Sequence, residues 1–322
     1  MSKITYDSAL VIGMGLIGSS IARALKEKQL SKKIFAIDRD SEVISISKNL
    51  NLVDAIESDV NKYNQQFDII FICTPLSSYR DIFKQLNSYV NETTLLTDVG
   101  STKVSVIEDF KESINNKKIL FVPAHPIAGL EKSGPEFGFA KLFENRYCIL
   151  TPIETQIEIT RSISDIWESF GMNIEIMEPK RHDRVLAMTS HIPQLIAYSV
   201  VGTATELESQ MKDEVIKYSA AGFRDFTRLA GSDPVMWRDV YEKNKEAVLE
   251  MLGRFSEDLL TYQKAIRNND LKYLEEKFIK SKEIRKVIEE IGQAGNLILQ
   301  KRISYLVINL KQSLFCFELH LV

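Results

Sequence analysis

Three glycines carry the first chemical signal. Gly13, Gly15 and Gly18 stand in Val11-Ile12-Gly13-Met14-Gly15-Leu16-Ile17-Gly18, a G-x-G-x-x-G run between an apolar stretch and a helical one. The first glycine permits a tight turn, the second lets a pyrophosphate reach the backbone, and the third lets the helix pack on the strand. The N-terminus of the helix that follows adds amide donors and partial positive charge, with Leu16 and Ile17 in the turn that meets the cofactor. Asp38 closes the next apolar run, Phe35-Ala36-Ile37-Asp38. That lies about 20 residues past Gly18, where a carboxylate accepts hydrogen bonds from an adenosine ribose and repels a 2′-phosphate. NAD is therefore expected rather than NADP, although Arg39 beside it argues for a phosphate grip. In Ile72-Cys73-Thr74-Pro75, Thr74 and Pro75 either meet the far side of the dinucleotide or simply end a strand. Cys73 itself reads as core.

Proton transfer falls to four histidines. His125 lies between two prolines in Val122-Pro123-Ala124-His125-Pro126, at the carboxyl end of a strand-like run, where open α/β sheets hold ligands. Its side chain is either a satisfied structural histidine or an imidazole that the prolines hold stiffly toward a ligand. His191, in Ser190-His191-Ile192-Pro193, faces either a cleft or a core. His182, inside Arg181-His182-Asp183-Arg184, reads as solvated, and His320 falls near the end of the chain. No spacing among them suggests a metal site.

These residues need a scaffold. Ala9–Ile12, Ile34–Ile37, Asp68–Cys73, Thr94–Thr97 and Ile119–Val122 read as strands buried on both faces. Helical segments Gly18–Lys28, Ser41–Asn49, Ser78–Val90 and Lys103–Ser113 lie between them, which implies a parallel sheet. Tyr147–Thr151 and Ile174–Met177 are expected to extend that sheet around a helical Glu154–Phe170. After Pro179 the spacing turns helical. Val185, Met188, Ile192, Leu195, Ile196 and Val200 form an apolar stripe, with Pro193 at a kink or restart. Asp233-Pro234 opens a helix through Met251 as N-cap and first residue, and Leu271–Ile291 reads as a surface-facing helix. The expected class is α/β: a Rossmann-type, mostly parallel domain over 1–178, an all-α domain over 179–295 and a tail, 296–322, of no assigned role.

Composition removes several classes. The 322 residues are 44% hydrophobic and 26% charged with a net charge of −3, and the pI is about 6.0. That is the ordinary globular range, with no basic footprint for nucleic acid. No apolar stretch approaches the ~20 residues of a membrane helix. Three separated cysteines without a C-x-x-C pair exclude a disulfide framework and a structural zinc site. The expectation is a soluble, cytoplasmic, two-domain protein.

The glycine turn, Asp98-Val99-Gly100-Ser101-Thr102-Lys103 and His125-Pro126-Ile127-Ala128-Gly129-Leu130-Glu131-Lys132-Ser133-Gly134 resemble the prephenate/arogenate dehydrogenase family of tyrosine biosynthesis. So do Ser190-His191-Ile192-Pro193, Gly222-Phe223-Arg224-Asp225-Phe226-Thr227-Arg228 and Ser232-Asp233-Pro234-Val235-Met236-Trp237-Arg238-Asp239. The resemblance implies oxidative decarboxylation of prephenate to 4-hydroxyphenylpyruvate with NAD, arogenate being the other substrate. It implies that His125 accepts the C4 hydroxyl proton, that Ser101 shares that hydroxyl, and that Arg228 holds a substrate carboxylate; with a neutral imidazole as the base, the acid limb of activity is expected within a unit or so of ~6.5. His191 would line the pocket, with Glu131 and Asp225 near its mouth. A homodimer through the helical domain is implied too; Trp237 reads equally as interface or core. The 27 residues after Gly295 leave no room for a regulatory ACT domain. Gln194 stands where relatives often carry a second histidine, which leaves prephenate against arogenate open.

Two other readings compete. β-Hydroxyacid dehydrogenases share such a fold but use a helix lysine in a Gly-x-x-x-Lys setting, which is missing at the start of the helical domain. A non-catalytic NAD-binding regulator would keep Gly13, Gly15, Gly18 and Asp38 with no need of His125, Ser101 and Arg228.

Overall fold

The computed structural model describes residues 5–115, 119–130, 132–153, 157–206, 214 and 217–290. Glu131, His320 and the tail 296–322 lie outside them. Six parallel strands form the main sheet: β1 (Tyr6–Ile12), β2 (Ser31–Ile37), β3 (Ala55–Glu57), β4 (Ile69–Ile72), β5 (Leu95–Asp98) and β6 (Leu120–Val122). Their order is β3-β2-β1-β4-β5-β6. Helices α1 (Leu16–Lys28), α2 (Ser41–Asn49), α3 (Tyr79–Leu86) and α4 (Val104–Ser113) lie in the crossovers. The order reverses between β1 and β4, so the crevice at their carboxyl ends is the switch point where such sheets bind ligands.

Successive strand residues enter opposite cores. Ala9 and Val11 pack in one layer with Phe71 and Trp167, while Leu10 and Ile12 pack in the other with Ile70 and Phe83. Burial on both faces is why these strands read as unbroken apolar runs.

The last strands correct the sequence reading. β7 (Ala124–Pro126), β8 (Tyr147–Leu150) and β9 (Asn173–Ile176) form a separate sheet in the order β7-β8-β9, with α5 (Ile157–Ser169) between β8 and β9. β7 runs antiparallel to β8, and β8 parallel to β9. Pro123 has no N–H for the main ladder, and the chain leaves β6 there to start a new pairing.

Beyond Pro179 the described residues contain no strand. α6 (Pro179–Leu186), a π-helical turn (Ala187–His191) and α7 (Ile192–Thr205) run end to end. The π turn absorbs Pro193, which lacks the N–H that an unbroken α-helix would use. Contrary to the sequence reading, the run Pro179–Ala204 is long and apolar enough to cross a membrane by length and composition, with a hydropathy of 1.2. The expected apolar stripe is met only in part. Val185 and Met188 are exposed while Ile192 is buried, and the other inward positions are His182, Asp183, Leu186, Ala187, His191, Gln194 and Ala197. Apolarity misjudged this helix because its buried face carries hydrogen-bonded polar groups.

Next come α8 (Ala221–Thr227), a 3₁₀ turn (Arg228–Gly231), α9 (Pro234–Lys243), α10 (Lys245–Arg267) and α11 (Leu271–Glu290). Asp233 caps α9 by accepting from the amides of Val235 and Met236 at 2.7 and 3.1 Å. The helix expected through Met251 is broken at Asn244. Val240 of α9 is fully buried in the core beneath β4 and β5, with Trp237 packed against it.

By packing, the chain forms two compact units, Met1–Leu252 and Gly253–Val322. In the second, Tyr262 stacks on Phe278 with ring centroids 6.2 Å apart. No residue of α11 is buried.

Candidate active site

At the glycine turn each position shows its own constraint. Gly13 has φ +94°, and a Cβ there would lie 2.7 Å from the Cys73 carbonyl oxygen. A Cβ on Gly18 would sit 1.9 Å from the Gly13 oxygen, so only glycine lets α1 pack so close. Gly15 differs, because a Cβ there meets nothing within 4 Å. Its lack of a side chain keeps open a space that the protein itself does not fill. No side chain caps α1 at Gly15, so the first amides, including those of Leu16 and Ile17, face that space with the helix dipole behind them.

The groove beside this turn has a volume of about 400 Å³ and is lined by Gly13, Gly15, Asp38, Thr74, Pro75 and Ile82, among others. Asp38 Oδ2 accepts from the Met14 amide at 2.8 Å, and Oδ1 accepts from the Asp40 amide at 3.0 Å. The carboxylate is thus locked at the rim of the groove. The Thr74 hydroxyl accepts from the Ser78 hydroxyl at 2.9 Å. Arg39 also lines the groove, with its side chain exposed. An open glycine cradle, uncapped amides and a fixed carboxylate fit a dinucleotide.

His125 is 8% exposed. Its main chain is held by a buried ion pair: Lys103 Nζ lies 2.9 and 2.7 Å from the two Asp98 oxygens and donates to the Ala124 carbonyl at 2.7 Å. Asp98 in turn accepts from the Ala124 amide at 3.1 Å and the Gly100 amide at 2.8 Å. Both backbone polar groups of Ala124, the residue before His125, therefore rest on this pair. Ser101 lies half-buried in the same loop, between Gly100 and Lys103 at the carboxyl end of β5.

The ring of His125 ends a chain of hydrogen bonds. Its Nδ1 is 2.8 Å from His182 Nε2, and His182 Nδ1 is 2.8 Å from Asp183 Oδ1. The same carboxylate accepts from the amides of Lys103 and Val104 at 2.8 and 3.0 Å, closing the start of α4. Asn244 Nδ2 donates to the Asp183 carbonyl at 2.9 Å and lies 3.1 Å from His191 Nδ1. His191 packs edge-on against Trp237, centroids 5.9 Å apart.

His182, expected in solvent, is wholly buried. Lys180, Arg181 and Arg184 occupy the outer face of α6, while His182 and Asp183 turn inward together. Burial lowers the pKa of His125 well below the ordinary 6.5, and the Lys103 ammonium, with any proton taken up by His182 or His191, pushes the same way. Burial also lowers His182, against the pull of its hydrogen bond to Asp183. His191 is brought down to about 4 by burial. The acid limb expected near 6.5 is accordingly displaced downward.

The structure thus joins His125 and His191 through His182, Asp183 and Asn244, with Ser101 one loop away. It does not draw Asp225 or Arg228 into that buried chain, since both side chains are exposed on α8 and the turn after it. That turn is fixed by the Gln194 side-chain amide, which donates to the Leu229 carbonyl at 2.7 Å. The sequence reading missed His182, Asp183, Asn244 and the support from Lys103 and Asp98. The available signal was a lone carboxylate, Asp183, among four basic or imidazole side chains.

A parallel sheet with this glycine turn, joined to a helical segment and carrying a strand-end histidine, defines a dinucleotide-dependent enzyme fold. Residues 21–176 match the family profile described as "Prephenate dehydrogenase, nucleotide-binding domain", and residues 178–280 match "Prephenate dehydrogenase, dimerization domain". The chain belongs to the prephenate dehydrogenase family. It is 36% identical over 281 residues to the cyclohexadienyl dehydrogenase of Zymomonas mobilis, covering 87% of this chain and 95% of that one. It is 31% identical to the prephenate dehydrogenase of Bacillus subtilis, over 87% of this chain and 75% of the relative. Among solved structures, the prephenate dehydrogenase from A. aeolicus in complex with hydroxyphenyl propionate and NAD+ is 33% identical with a TM-score of 0.79. That match covers 86% of this chain and 98% of the other.

Proposed function

We propose that this chain oxidises and decarboxylates prephenate to 4-hydroxyphenylpyruvate with NAD, in tyrosine biosynthesis. The observation that carries the reading is His125, held just past the carboxyl end of β6 with Nδ1 engaged by His182 and no hydrogen bond taken up by Nε2 among the described residues. When bound, NAD supplies the hydride acceptor. Gly13, Gly15 and Gly18 admit its pyrophosphate, the amides of Leu16 and Ile17 bind it, and Asp38 takes the ribose. Thr74 and Pro75 line the far side.

His125 accepts the hydroxyl proton as carbonyl character develops at C4. It returns that proton to the phenol oxygen once CO2 has left and the ring is aromatic. Ser101 shares the hydroxyl and orients it. Arg228 pairs with a carboxylate through its planar guanidinium, His191 lines the pocket, and Asp225 and Glu131 lie at its mouth. The division into 1–178, 179–295 and 296–322 is part of the same reading. So is a cytoplasmic homodimer through the helical domain, which the second profile's description and the exposed Phe278, Ile284 and Val287 of α11 support.

Arogenate is the second reading, favoured by the name of the Zymomonas relative and by a 25%-identical arogenate dehydrogenase structure from Synechocystis, with a TM-score of 0.73 over 87% of this chain and 99% of that one. NADH formation with prephenate and arogenate side by side tests both. Turnover of neither overturns the enzymatic reading in favour of a dinucleotide-binding regulator.

Two further outcomes are expected. NAD gives the higher kcat/KM, and Asp38→Asn weakens NAD binding by about 1.5–3 kcal/mol through loss of a charge-assisted contact; titration of NAD fluorescence quenching measures it, and an NADP preference contradicts it. Arg228→Ala raises substrate KM by about 10–100-fold and spares kcat, because the carboxylate is charged before and during the reaction. An unchanged KM would place the carboxylate elsewhere.

A further inference from the structure

The Asp183–His182–His125 chain has a direction that fixes the chemistry of the reacting ring. An Asp183 carboxylate has only acceptors, already shared with the amides of Lys103 and Val104. His182 Nδ1 must therefore donate to it. His182 is wholly enclosed, and its Nε2 faces another imidazole rather than an anion. The Lys103 ammonium lies on the same side, bonded to the carbonyl of Ala124 next to His125. A second positive charge is disfavoured there, so His182 is neutral and its Nε2 is an acceptor. The proton between the rings then belongs to His125 Nδ1.

We propose that His182 and Asp183 are positioning residues that hold His125 in its Nδ1–H tautomer, leaving the Nε2 lone pair as the proton acceptor for substrate. The inference rests on the reading of His125 as the base. With the opposite tautomer, Nε2 would carry a hydrogen and meet the substrate hydroxyl donor to donor. As His125 takes the hydroxyl proton on Nε2, its Nδ1–H stays bonded to His182, with the Asp183 carboxylate behind. The developing imidazolium is thus met by an oriented acceptor, and no proton need leave the chain. Sheet pairing of His125 with Ile149 and the anchoring of Ala124 fix the backbone. Among the described residues, the hydrogen bond that engages the ring is the one to His182, and it fixes which nitrogen the protein uses.

The test reads the tautomer directly. In the 15N-histidine-labelled full-length protein at neutral pH, correlation spectra distinguish Nδ1–H from Nε2–H, and His125→Asn assigns the signals. His125 is expected as Nδ1–H. His182→Leu removes the acceptor; it should populate the Nε2–H form and lower kcat about 10–100-fold, with substrate KM and NAD affinity little changed. His182→Gln supplies an amide oxygen toward His125 and an amide N–H toward Asp183, and should recover kcat to within about threefold of the parent. Three results would overturn the proposal: His125 found as Nε2–H in the unaltered protein, an undiminished kcat in His182→Leu, or equal losses in the Leu and Gln variants. The spectrum of the unaltered protein needs no variant to fold except for assignment. It is also independent of turnover, whereas failure of the base reading itself shows as normal kcat in His125→Asn.

Discussion

His125→Asn is expected to lower kcat by ~10²–10⁴, the usual weight of a positioned general base. Asparagine keeps a similar volume and a polar group toward His182 but cannot accept the hydroxyl proton. The loss falls on the transition state, so KM moves less than kcat. The pH profile separates this from a packing effect. Burial, reinforced by the Lys103 ammonium, holds the His125 pKa well below 6.5. A lowered pKa favours the neutral form, so the base is competent at pH 7 and is lost only as the pH falls through the lowered value. The kcat/KM of the parent should therefore stay level through about 6.5 and decline only at more acidic pH. A half-maximal point at or above 6.5, or persistence of the same acid limb in His125→Asn, would contradict the assignment.

Lys103→Met is expected to destabilise the protein by about 3–5 kcal/mol. Lys103 and Asp98 are both wholly buried, and removing the cation strands a carboxylate without a counter-charge. Burial pulls the lysine pKa down while Asp98 pulls it up; the ammonium persists because its Nζ touches both carboxylate oxygens and a carbonyl. Chemical denaturation with turnover measured in parallel checks the prediction. Activity should fall further than the unfolded fraction accounts for, since the peptide before His125 loses its anchor. A stability change under ~1 kcal/mol would show that the site relaxes or admits water.

Much of the nucleotide-binding half was legible because its signals are local. Gly13, Gly15 and Gly18 sit between an apolar strand and a helix, and burial on both faces made β1, β2, β4 and β5 stand out. β3 escaped because it is three residues at the sheet edge. The separate β7–β9 sheet escaped because partner choice depends on where Pro123 sends the chain, which periodicity does not encode. His125 was found from its flanking prolines. His182 was misread because four charged neighbours make a helix look solvated, while inward placement is decided by pairing across 57 residues. Asn244 has no local signature at all: it bridges the Asp183 carbonyl and His191, and only the folded chain brings those together.

The π turn at Ala187–His191 sets an angle as well as accommodating a proline. Along an unbroken α-helix each residue advances about 100°, so His191 would lie about 80° around the axis from Asp183. One extra residue in a widened turn takes back roughly one such step and leaves the two within about 20° of each other. That alignment is what lets a single asparagine reach both. Removing one residue from this turn would act as a rotation: everything from His191 onward, Gln194 and its grip on the Leu229 turn included, would swing off the inward face while the helix itself stayed intact.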